Sequence, residues 1–105
     1  MIRHVVLLKF TEEATEARRL ALVEAFAALA DAIAQVRSLE WGRNTSPEGL
    51  DKGFTHCVVV TFDDEAARDA YLPHPAHQAF VAELKPWMAD VLVVDYAVGS
   101  APARR

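Results

Sequence analysis

Residues 71–80 read YLPHPAHQAF. They place a phenol, Tyr71, close to two imidazoles, His74 and His77, with Pro73 and Pro75 threaded between them. An imidazole takes up and releases a proton near neutral pH, so it serves as acid or base at little cost in either direction. A phenol donates one hydrogen bond and suits a carbonyl oxygen on which charge develops. The same residues have blander uses. A histidine beside prolines can cap a helix, and one at a helix start can satisfy a backbone carbonyl. Metal ligation needs further donors, and the stretch holds no Asp, Glu or Cys to complete a tetrahedral shell around His74 and His77. No metal and no cofactor is expected.

These side chains must be positioned by the elements around them. Pro73 disfavours a helical Leu72, and Pro75 suits the first position of a new helix. His74 is then the N-cap, and His77 lies in the first turn. At 100° per residue, Ala76, Phe80, Leu84 and Trp87 form a stripe, and His77 falls on its Leu84 side, toward the core. The new helix is expected to reach residue 88 or 89, bent by Pro86. The helix before it is predicted over 64–72, capped by Asp63. Tyr71 closes it, and Ala67, Ala70 and Ala76 leave room for a ligand between helices and sheet.

Alternation predicts strands at 2–10, 38–43, 55–62 and 91–98, three of them apolar on both faces. A helix is predicted over 12–36, with Leu20, Val23, Phe26, Ala30 and Ile33 on its apolar stripe. The polar segment 44–54 reads as a loop, long enough to gate a site. The resulting order, β-α-β-β-α-β, is the ferredoxin-like α+β arrangement with a four-stranded antiparallel sheet. Helices cover one face of such a sheet. The other face, apolar here, needs a second copy of the chain, so a homodimer packing sheet against sheet is expected.

Composition narrows the function classes. The 105 residues make one domain, expected over 1–98, with a disordered tail at 99–105. A net charge of −4 argues against nucleic acid. The N-terminal apolar run is too short to span a membrane. The single Cys57 suits a reducing cytoplasm, and it is expected as an inert buried thiol at the dimer seam.

The motifs IRHVVLLKF at 2–10, WG at 41–42, SPEGL at 46–50, GFTH at 53–56, YLPHPAHQAF at 71–80 and DVLVVDY at 90–96 occur in the order found in a known family. The chain resembles the stress-responsive A/B barrel, or Dabb (dimeric α/β barrel), family over residues 2–98. That resemblance implies the same fold, with two sheets joined into a barrel across a dimer. Plant members include stress-linked proteins and a polyketide cyclase that closes an aromatic ring without a cofactor.

By that resemblance the cyclase's catalytic histidine falls at His77 and its tyrosine at Tyr71, while its other pocket-side histidines fall at His4 and His56. Phe26 stands where the cyclase has a pocket tyrosine, and Val23 where it has a phenylalanine. Phe80 and Trp87 are expected as core or pocket wall. The expected function is binding of a small apolar or carbonyl-containing ligand between helices and sheet. A cofactor-independent cyclase with His77 as acid–base and Tyr71 as hydrogen-bond donor is the first alternative, and a structural stress protein the second.

Overall fold

The structure, a computed structural model, describes residues 1–99. Of the tail expected at 99–105, residues 100–105 lie outside the described residues. Strand β1 (Ile2–Phe10) alternates strictly, with Ile2, His4, Val6, Leu8 and Phe10 buried and the residues between them half-buried. Such a strand belongs inside a sheet. It pairs antiparallel with β3 (His56–Phe62) on one side and β4 (Met88–Ala97) on the other. The short β2 (Ser38–Arg43) adds to the far side of β3, giving the four-stranded order β2-β3-β1-β4. This is the ferredoxin-like α+β arrangement that the element order predicts.

Helices α1 (Glu16–Ala27), α2 (Leu29–Ala32), α3 (Glu65–Tyr71) and α4 (Pro75–Leu84) cover one face. Beneath them Val6, Leu8, Val58, Val60 and Phe62 meet Leu22, Val23, Phe26, Phe80 and Leu84 in one core.

The expected first helix differs from the observed one at both ends. Thr15 is its N-cap and accepts the Arg18 N–H at 3.1 Å, so Glu12 and Glu13 precede the helix. A break at Ala28 leaves α2 as a separate single turn. The buried stripe is Leu22, Val23 and Phe26, continued by Leu29 and Ile33. Leu20 is exposed, because it lies about 160° around the helix from Leu22.

The cap of α3 is Asp64, whose carboxylate accepts the Ala67 N–H at 2.9 Å; the expected cap, Asp63, instead pairs with Arg37. His74 caps α4 as expected, with Nδ1 accepting the Ala76 N–H at 3.1 Å and Pro75 following. Helix α4 stops at Leu84. Pro86, which has no N–H to give, sits in a 3-10 turn over Lys85–Trp87, and β4 begins at once at Met88.

The helical layer does not cover β4, which it touches through the Arg68 side chain on Asp95. On its helix side Val91, Val93 and Asp95 lie beside Leu8, Val6 and His4; on the other side Leu92, Val94 and Tyr96 lie beside Leu7, Val5 and Arg3. All of these β4 residues except Asp95 are exposed. The open face continues through Val5, Leu7, Cys57 and Val59, each half-buried. Cys57 therefore sits on this face, half-buried in the single chain, and desolvation, then Glu40, pushes its thiol pKa up. No described helix is long and apolar enough to cross a membrane.

Candidate active site

Because α3 and α4 stop short of β4, a groove of about 560 Å³ opens between them and the sheet edge. One end is polar, with His4, His77, Arg68, Asp69 and Asp95; the other is apolar, with Val81, Leu84, Met88, Val91 and Val93. Phe26 and Phe80, 4.8 Å apart between ring centroids, form part of its floor.

His77 is placed by the local geometry of the stretch YLPHPAHQAF, residues 71–80. The chain turns at Pro73, and α4 restarts on His74, so the first turn of α4 passes over the end of α3. There the Leu72 carbonyl accepts from His77 Nδ1 at 2.8 Å and from the Gln78 amide at 2.8 Å. A carbonyl only accepts, so Nδ1 carries the proton and Nε2 is left as the basic nitrogen. Burial lowers the His77 pKa; the Leu72 bond works against that, and the His4 and His74 rings add to the lowering. The imidazole is held neutral and able to take a proton.

His4 is fixed by the same logic. Its Nδ1 lies 2.7 Å from Asp95 Oδ1, and a carboxylate only accepts, so His4 also carries its proton on Nδ1. The second oxygen of Asp95 accepts from the Arg68 guanidinium at 3.1 Å. Arg68 also donates through Nε to Asp69 at 3.0 Å.

Tyr71 is wholly buried, at 0% exposure, and does not line the groove. Its ring stands behind the site, 4.5 Å from His77, 4.9 Å from Phe62 and 6.0 Å from His4. Its hydroxyl is buried without a hydrogen-bond partner, and burial raises its pKa well above the ordinary phenol value.

Three of the expected pocket residues lie elsewhere. His56 faces the helices as His4 does, but it pairs with Leu8 whereas His4 pairs with Val60. That register separates them by four residues along the strands, about 13 Å. His56 lines a different cavity, beside Trp41 and Arg43, with Nδ1 on the Thr55 hydroxyl at 2.8 Å. Its pKa is lowered, by burial first and then by Arg43 and Arg19. Val23 is sealed in the core at 1% exposure. Trp87, carried away from α4 by the 3-10 turn, lies beneath the Arg18 guanidinium at 5.0 Å. The alanines expected to leave room do not make the hollow: Ala70 is exposed, and Ala67 and Ala76 pack on the core. The space comes from the uncovered flank of β4.

Sequence reasoning missed Arg68 and Asp95. A single carboxylate inside VLVVDYAV was the available signal, since a charge in an apolar strand implies a partner. Among the described residues no group of three His, Cys, Asp or Glu side chains is arranged to hold a metal ion. The chemistry on offer is proton transfer by imidazole, hydrogen bonding by guanidinium, and an apolar bed.

Comparison with known proteins agrees with this architecture. The chain is 30% identical over 95 residues to olivetolic acid cyclase from Cannabis sativa, covering 90% of this chain and 94% of that protein. A crystal structure of an Arabidopsis thaliana protein matches with a TM-score of 0.93 at 30% identity, covering 98% of this chain and 100% of that one. A dimeric ferredoxin-like protein of unknown function from Thermobifida fusca matches with a TM-score of 0.79 at 27% identity, over 92% and 90% of the two chains. The family model of the stress responsive A/B barrel domain matches residues 2–98, the span that holds the whole sheet and every side chain of the groove, and the chain belongs to that family.

Proposed function

We propose that the protein is a homodimer that binds a small, apolar, carbonyl-containing molecule in the groove between α3, α4 and β4. The observation that carries this reading is the groove itself: about 560 Å³, apolar along one end and supplied at the other with imidazoles of defined tautomer. Sites of this size and mixture hold small organic ligands. The homodimer is supported by the apolar open face of the sheet and by relatives described as dimeric. The single, half-buried Cys57 is consistent with work in the cytoplasm.

The test is a titration with benzoylacetone, an aryl β-diketone, followed by calorimetry and by the ring resonances of His77. Saturable binding with displacement of those resonances is the expected result. No heat and no displacement at millimolar ligand would remove the reading.

A second reading is favoured by the His77 tautomer. Nε2 is the free, basic nitrogen of a half-buried imidazole, the arrangement needed to abstract a proton alpha to a carbonyl without a cofactor. The reaction class would be a cyclase-like, aldol-type ring closure, with His77 as acid–base and the Tyr71 phenol as a hydrogen-bond donor once a ligand reaches it. Turnover of a poly-ketone by His77→Ala and Tyr71→Phe tests it. Loss of rate with folding and affinity intact supports the chemistry, and unchanged rate discards it.

A further inference from the structure

Arg68 is in the groove wall, and no part of the proton-transfer reading uses it. The group expected to hold a ligand's carbonyl, the Tyr71 hydroxyl, is sealed behind His77. Arg68 is anchored at two points: Nε donates to Asp69 at 3.0 Å, and one terminal nitrogen donates to Asp95 at 3.1 Å. A guanidinium has five N–H donors. Those on the other terminal nitrogen have no protein partner among the described residues. The side chain is 21% exposed and lines the groove with His77 and His4.

The charges around Arg68 decide what it suits. His77 is held neutral, and Asp95 and Asp69 are both within bonding distance of the guanidinium. A ligand that arrives as a carboxylate would meet two carboxylates already there. A neutral carbonyl meets a free N–H donor instead. When a proton leaves the carbon alpha to that carbonyl, the C–H electron pair moves into the carbonyl and places negative charge on its oxygen. The proton goes to His77 Nε2. A fixed cation beside that oxygen is then worth more than it was in the ground state, which is the condition for accelerating the step. A guanidinium keeps its charge at any working pH.

We propose that Arg68 is the group that binds the ligand's carbonyl oxygen and stabilises the enolate formed when His77 takes the alpha proton, so that the site selects neutral β-dicarbonyl compounds over free carboxylates. This rests on the reading of the groove as a carbonyl-ligand site.

The experiment follows hydrogen–deuterium exchange of the benzoylacetone methylene in heavy water by NMR, with binding measured separately by calorimetry. Wild-type protein is expected to speed exchange. Arg68→Gln is expected to slow the bound exchange rate about 100-fold, the usual cost of losing an oxyanion donor, with affinity changed by less than about threefold. Arg68→Lys, which keeps the charge, is expected to recover part of the rate. Benzoylacetone bound to the wild type is expected to show its enolate absorption at lower pH than in free solution, a readout that needs no variant to fold. Benzoate is expected to bind more weakly than benzoylacetone. Failure of the wild type to bind benzoylacetone would remove the groove reading itself. Binding without exchange, exchange at the wild-type rate in Arg68→Gln, or an enolate band at its free-solution pH would overturn the Arg68 proposal and leave the groove standing. Equal loss in Arg68→Gln and Arg68→Lys, with the His4 resonances displaced, would assign the effect to the Asp95 pairing and also overturn it.

Discussion

His4 and Asp95 are direct neighbours across β1 and β4, and Asp95 accepts a hydrogen bond from His4 Nδ1–H at 2.7 Å with one oxygen while accepting from Arg68 with the other. The cross-strand register puts them side by side, and the carboxylate fixes the orientation of the imidazole and the guanidinium at the polar end of the groove.

Asp95→Asn keeps the shape but removes the acceptor-only character. The neutral amide no longer imposes Nδ1–H on His4, and Arg68 loses a charge-assisted bond. The expected outcome is a mixed His4 tautomer by nitrogen-15 NMR and a stability loss of about 1–3 kcal/mol by urea denaturation. Retention of a single tautomer and full stability would show that Asp95 does not govern the pair.

Tyr71→Phe has the opposite sign. The hydroxyl is buried without a partner, and such a group opposes folding. The phenylalanine variant should match the wild type or exceed it by up to about 1–2 kcal/mol in the absence of ligand. A loss of stability would mean that the hydroxyl has a partner in solution.

Stability should depend on pH through His77 and His56. Both have folded-state pKa values lowered from 6.5, with burial the largest cause. Below 6.5 the unfolded chain binds protons that the folded chain refuses, so folding is most favoured above 6.5 and loses free energy as pH falls through the folded-state values. The variant His77→Gln should show a shallower decline than the wild type between pH 7 and pH 5 in urea melts. Identical slopes would place the titration elsewhere.

On the open face, Val94 lies beside Val5 and is 53% exposed in the single chain. Val94→Lys sets a charge in the middle of the proposed dimer contact. Sedimentation should show the dimer dissociation constant rising at least about 100-fold, on the scale of a central interface residue. An unchanged dimer would mean that the subunits join elsewhere.

Fold and site were legible to different degrees, for physical reasons. Burial alternates strictly along Ile2–Phe10 and as far as Val60 in His56–Phe62, which identifies the two central strands, since a strand packed beneath helices shows its period directly. The His74 cap and Pro75 start were readable because proline geometry is local. Leu20 misled because Leu20 and Val23 share a helical spacing, while the buried stripe is centred on Leu22 and Phe26. His77 was recognised, but its Leu72 partner was not, since that bond arises from the fold-back between α3 and α4. His4 and His56 look equivalent along the chain, and only the antiparallel register sends them to different cavities. Arg68 and Asp95 meet from positions 27 residues apart, which no local pattern announces.

The bare flank of β4 has one more effect. A guest molecule lying along Val91 and Val93 would act as a detachable part of the interior, completing a layer that the helices leave unfinished. Saturation at a hundredfold excess over its dissociation constant would add about 2.7 kcal/mol to folding. The lifetime of the protein would then follow the supply of its small molecule, and scarcity alone would mark unfilled copies for removal.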